Sequence, residues 1–141
     1  MKLILDTNIL ISALIKDSAV RKALLNPVFE FYLPEFSLEE IEEHMDLIAA
    51  RSRLSKEEIY LVLNMLLVNI HIVPSEQILR KYEEADRLMG KIDKKDVPFI
   101  ASALSIPNEG IWTEDKHFLK QKRVKIWCTK NIISISRKKG R

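Results

Sequence analysis

Short apolar segments alternate with longer helix-patterned ones along this chain, and that alternation restricts the fold more than any other feature. Leu3-Ile-Leu5 reads as a buried strand that stops at Asp6. Further strands are expected at residues 29–33, 70–73, 110–113 and 124–127. Between them, helical patterning covers residues 7–16, 18–25, 35–53, 56–69, 75–89 and 97–104, with a short helix at 116–121. Ser55 with Glu58 three residues on is a capping-box signature for the helix over 56–69. Strands that alternate with helices predict a parallel sheet, hence an α/β, three-layer α/β/α sandwich of about five strands. The length of 141 residues suits one domain, drawn here as residues 1–135, with 136–141 as a basic C-terminal tail.

The composition excludes several classes. The single cysteine, Cys128, rules out an intramolecular disulfide framework and a zinc–cysteine cluster, and fits a reducing cytoplasm. Asp6, Thr7 and Asn8 interrupt the apolar start, so no secretory leader is expected. No apolar run approaches the ~20 residues of a membrane span. The formal charge of +3 hides an asymmetry. From residue 116 onward there are ten basic residues and no acid, whereas the first 115 residues hold 13 basic and 20 acidic groups. An acidic body with a basic end suits metal at one place and phosphate at another.

In open α/β sheets, sites lie beyond the carboxyl ends of the strands. Asp6 follows the first expected strand and Asp115 follows the fourth by two residues. Asp96 opens the helix before that fourth strand, and Glu40 lies in the helix after the second. Carboxylates gathered in one pocket repel each other, and a divalent cation removes that cost. All-oxygen ligands suit Mg²⁺ or Mn²⁺, and such sites hydrolyse phosphodiesters. Each acid also has a plainer reading. Asp6 and Asp96 suit helix N-caps, the latter with Pro98 in the first turn. Glu40 fits a capping box with Ser37, and Asp115 suits a turn. Other α/β phosphate-handling domains fit less well. A phosphoacceptor needs an aspartate after the third strand, where Ile72-Val-Pro-Ser75 has none. A haloacid-type phosphatase needs a second aspartate where Asn8 stands.

Four blocks resemble those of PIN-domain nucleases, in the family's order and over roughly residues 2–128. They are Leu3-Ile-Leu-Asp-Thr-Asn-Ile-Leu-Ile11, Leu33-Pro-Glu-Phe-Ser-Leu-Glu-Glu-Ile41, Asp96-Val-Pro-Phe-Ile-Ala-Ser-Ala-Leu104 and Ile111-Trp-Thr-Glu-Asp-Lys-His-Phe118. The resemblance implies a metal-dependent endoribonuclease, of which many small prokaryotic members are toxins of toxin–antitoxin pairs. It implies Asp6, Glu40, Asp96 and Asp115 as catalytic metal ligands for Mg²⁺ or Mn²⁺, with Glu43 the alternative at the second block. Asn8, Thr113 and Asp93 would support them. A catalytically inactive RNA- or protein-binding module is the competing reading.

Lys116, Lys120, Lys122 and Arg123 follow Asp115 and are expected on the RNA path, with the basic tail. His44 and His117 lie close enough in sequence to the acids to touch the site, whereas His71 reads as structural. Trp112 and Trp127 read as core. The helix over 56–69 is apolar nearly all round, which predicts either an enclosed helix or a two-fold homodimer interface.

Overall fold

A computed structural model describes residues 1–16 and 18–139. Its centre is a five-stranded, wholly parallel sheet in the order β3-β2-β1-β4-β5. The strands are β1 Lys2–Leu5, β2 Glu30–Pro34, β3 Ile70–Val73, β4 Ile111–Trp112 and β5 Ile126–Trp127. Nine α-helices lie among the described residues. They are α1 Thr7–Ile15, α2 Ser18–Leu24, α3 Phe36–Glu43, α4 Met45–Ser52, α5 Lys56–Leu67, α6 Ser75–Leu79, α7 Tyr82–Met89, α8 Val97–Ser105 and α9 Thr129–Lys139. Two 3-10 helices, Lys94–Asp96 and Lys116–Lys120, complete the chain.

The layering follows from the two-residue period of β1. Leu3 and Leu5 enter one core with residues of α1, α2, α4, α5 and α9. Ile4 enters the other, with Ile78, Ala85, Met89, Ile100 and Phe118. Both cores are built from apolar side chains, and the central strand β1 is apolar from Leu3 to Leu5, as in parallel sheets with two covered faces. Strand order grows one way from β1 through β2 to β3, and the other way through β4 to β5. The carboxyl edge between β1 and β4 is therefore the topological switch point, where such folds form their crevice.

Several elements depart from the sequence expectation. The segment 35–53 is two helices, not one. The chain turns at His44, whose backbone N–H is bonded to the Glu40 carbonyl oxygen at 3.2 Å and whose ring Nδ1 lies 2.7 Å from the same oxygen. Ile41, Met45 and Ile48 stay buried across the break, so the apolar period hides it. Residues 75–89 likewise split at Arg80-Lys81, while Ile78, Ala85 and Met89 keep one buried face. The expected boundary at residue 135 falls inside α9. That helix buries Ile132, and the Asn26 side chain donates to Ser136. Gly140 and Arg141 lie outside the described residues. Gly110 has φ +132°, and a Cβ there would collide with the Lys125 carbonyl, so glycine lets β4 start against β5.

The capping box at α5 forms in both directions, each bond 3.1 Å long. The helix is not enclosed. Ile59, Leu63 and Leu66 are buried, while Leu61, Met65 and Val68 are 65–81% exposed along one stripe. Trp112 is fully buried in the core and donates to Thr129 Oγ1 at 3.0 Å. Trp127 is only partly buried, and Lys125 Nζ lies over its ring. No described helix is long and apolar enough to cross a membrane.

Candidate metal centre

β1 delivers Asp6 to the switch point, and the carboxylate serves two purposes there. Its Oδ1 accepts the Asn8 N–H at 3.3 Å, so Asp6 does cap α1. Its Oδ2 accepts the Thr113 hydroxyl at 2.6 Å, which ties it to the chain leaving β4. Thr113 also accepts the Asp115 N–H at 3.0 Å. One buried hydroxyl thus fixes both Asp6 and the turn that carries Asp115. Asn8 acts through its backbone, while its side chain is exposed and lines the cleft.

Asp96 arrives from the opposite layer. It occupies the N-cap position of α8 but makes no side-chain cap bond. The carboxyl group points elsewhere: Oδ2 is buried with no hydrogen-bond partner among the described residues. Leaving a neutral polar atom so costs about 1–3 kcal/mol, more if charged. Asp93 is one turn earlier, with Oδ1 accepting the Lys95 N–H at 3.0 Å and Oδ2 lying 3.0 Å from His117 Nδ1. Asp115 caps the 3-10 helix Lys116–Lys120, accepting the His117 N–H at 2.9 Å, so its turn reading is also correct. One ligand atom from each of Asp93, Asp96, Asp115 and His117 fits within 4.8 Å of the others.

The electrostatics match a crowded site. Burial raises the Asp96 carboxyl to about 8, reinforced by the neighbouring Asp115 carboxyl group and the charges of Asp93 and Asp6. Burial also raises Asp6, against the lowering effect of its bonds from Thr113 and Asn8. Asp93 is lowered, chiefly by His117. The residues present fit a hard divalent cation: an orphaned buried oxygen, several carboxylates converging on it, and no cysteine among them.

Glu40 reaches the site by a different route. The Thr7 hydroxyl donates to Glu40 Oε1 at 2.8 Å and is hydrogen-bonded to Ser37 Oγ at 2.7 Å. The capping box expected between Ser37 and Glu40 does not form, because α3 begins at Phe36 and has no side-chain cap. Glu40 is thereby linked to the residue after Asp6, and of the four expected ligands only Asp96 and Asp115 fall in the tight four-residue cluster, with Asp6 and Glu40 outside it. Glu43 and Glu39 are exposed, and Glu42 accepts the Tyr60 hydroxyl. Thr7 and Ser37 were not singled out in the sequence. The visible signal was the Asp-Thr-Asn triplet, whose middle residue carries the link.

An open cleft of about 560 Å³ runs beside the acids, lined in part by Asp6, Asn8, Glu114, Asp115 and Thr129. Glu114 accepts the Thr129 N–H at 2.6 Å and pins the start of α9 to this edge. The four basic residues after Asp115 do not form one cluster. Lys116 and Lys120 are exposed on the 3-10 helix. Lys122 donates to the Leu119 carbonyl, and Arg123 pairs with Glu84 at 3.3 Å. Arg123 lines a different cavity with Gly110 and Lys125, at the amino ends of β4 and β5. His44 is exposed at the end of α3, and His71 pairs with Glu30 at 3.2 Å.

A doubly wound parallel sheet with carboxylates collected at its switch point is an α/β domain whose carboxyl edge could hold a divalent cation. The sequence model of the PIN domain matches residues 4–135, and the chain belongs to the PIN-domain family. PIN domains are in general metal-dependent nucleases, which accords with the acid-lined edge. No curated protein and no solved structure gave a match.

Proposed function

We propose that this protein is an endoribonuclease that hydrolyses RNA phosphodiester bonds with Mg²⁺ or Mn²⁺. The observation that carries the reading is Asp96, whose buried Oδ2 has no hydrogen-bond partner among the described residues and whose carboxyl sits against those of Asp115 and Asp93. In this reading Asp6, Asp96 and Asp115 hold the cation, with Glu40 facing it directly or through water. The bound cation lowers the pKa of a water and stabilises negative charge developing on the phosphate. Thr113 keeps Asp6 and Asp115 oriented, and Thr7 does the same for Glu40. The exposed Lys116 beside Asp115 supports a flanking phosphate contact. The start of α9 at the cleft suggests an RNA path along its exposed Lys130 and Arg137, which share a face.

The test is cleavage of a set of labelled RNAs in Mn²⁺. Wild type cuts, and Asp96→Asn loses at least about a hundredfold while its circular dichroism is unchanged. Equal cutting by both would end the assignment. A toxin role is narrower: expression in growing cells then arrests growth with wild type and spares it with Asp96→Asn. The exposed stripe of Leu61, Met65 and Val68 supports a homodimer through α5. Light scattering at micromolar concentration would then give twice the chain mass, and Met65→Glu would return a monomer.

A further inference from the structure

We infer that His117 is a nitrogen ligand of the metal centre and biases it toward Mn²⁺ over Mg²⁺. The inference rests on the reading of this edge as a cation site and concerns which cation it selects.

The four candidate ligand groups are graded in exposure. Asp96 is 7% exposed, with an unpartnered oxygen inside the cluster. The Asp93, Asp115 and His117 side chains are progressively more open, at 25, 34 and 50%. That arrangement has a fixed floor and an open mouth. His117 Nδ1 lies 3.0 Å from Asp93 Oδ2 and 3.6 Å from Asp115 Oδ1. Adjacent ligands on an octahedral cation with bonds of about 2.1 Å stand roughly 3 Å apart. The His117 atom is therefore spaced from Asp93 and Asp115 much as ligands of one ion are, and the Asp96 ligand atom lies within 4.8 Å of all three.

The plainer account of the 3.0 Å contact is a hydrogen bond from imidazole to Asp93. Both descriptions use the same atoms. As a ligand Nδ1 would offer its lone pair with the ring N–H on Nε2, so a proton now shared between Nδ1 and Asp93 would pass to solvent or, through solvent, to Nε2. The His117 backbone N–H is bonded to Asp115 Oδ1, which fixes the main chain from which the imidazole projects. The chemistry then follows from the donor set. Mg²⁺ favours oxygen and gives up water reluctantly. Imidazole suits the later first-row ions best, and Mn²⁺, which opens that series and is otherwise an oxygen-site ion, tolerates one nitrogen better than Mg²⁺. One nitrogen among carboxylates costs Mg²⁺ more than Mn²⁺.

The decisive measurement is pulsed electron paramagnetic resonance on the full chain loaded with Mn²⁺ alone. Wild type is expected to show ¹⁴N coupling at the metal. His44→Gln and His71→Gln retain it, and His117→Gln loses it. Calorimetry on the same samples should show Mn²⁺ affinity falling about tenfold or more in His117→Gln, while Mg²⁺ affinity falls less than about threefold. Mn²⁺ that binds wild type without nitrogen coupling, and is lost in Asp96→Asn, overturns the inference and leaves the cation site standing. Absence of any Mn²⁺ binding to wild type overturns both. The wild-type spectrum needs no substitution, so a poorly folding variant does not blunt the test.

Discussion

The two edges of the sheet treat charge in opposite ways. At the carboxyl edge, Asp6 and Asp96 are buried, close to further carboxylates, and Asp96 has an oxygen with no partner. α1 begins at that edge and returns the chain to the other, where a cleft of about 480 Å³ gathers Lys16, Arg21, Arg51 and Arg53. Those cations are put to structural use or left to solvent. The Arg21 guanidinium donates to the Ala13 and Leu14 carbonyls at the end of α1, where helix acceptors are otherwise unsatisfied. Arg123, also at an amino edge, is paired with Glu84 and more than half exposed. One edge therefore satisfies its charges, and the other keeps one buried carboxyl oxygen, on Asp96, without a hydrogen-bond partner among the described residues. Buried, unsatisfied charge lowers stability, and a chain keeps it where binding something offsets the cost.

The largest expected effect follows from removing that unsatisfied charge. Asp96 is raised to about 8, against an unfolded value near 4. Its favourable contribution is complete below about pH 4 and is lost as pH rises through about 8, because the folded state then has to release a proton it holds tightly. Metal-free wild type should therefore melt several degrees lower at pH 9 than at pH 5. Asp96→Asn should flatten that dependence and melt higher than wild type at pH 8. A wild-type melting temperature that rises over the same interval would contradict the electrostatics. Saturating Mn²⁺ should restore wild type at pH 8 and leave the variant unchanged.

Thr113→Val should come next. It removes the bond to Asp6 Oδ2 and the acceptor for the Asp115 N–H. Mn²⁺ affinity should fall by about 10–100-fold, with a stability loss of about 1–3 kcal/mol. Calorimetry and thermal melting read both. Thr7→Val frees only Glu40, so a smaller loss, about tenfold, is expected. At the opposite edge Arg123→Gln breaks an exposed pair and should change neither Mn²⁺ affinity nor melting beyond experimental error. A large effect there would erase the contrast between the edges.

Much of the acid edge is legible in the sequence because strand ends are legible. Asp6 and Asp115 each follow an apolar run, and parallel topology brings those run ends together. Asp96 follows from the helix that Pro98 starts. Of the buried hydroxyls, Thr113 was named through the family resemblance, and Thr7 and Ser37 were not legible. Thr7 and Ser37 look like cap or core residues until the packing of α3 against α1 makes them neighbours 30 positions apart. The approach of His117 to Asp93 across 24 positions is likewise a product of tertiary packing. α9 escaped notice because Ile132, Ile133 and Ile135 are β-branched and favour strand, whereas burial of Ile132 against the core selects helix. The breaks at His44 and Arg80 were hidden because the apolar period runs on through both.

Calorimetric titration of Mn²⁺ into wild type and Asp96→Asn is the most direct measurement. Saturable binding in wild type, weakened at least about a hundredfold in the variant, is the predicted result. Equal binding by both, or binding by neither, would contradict a cation site built around Asp96.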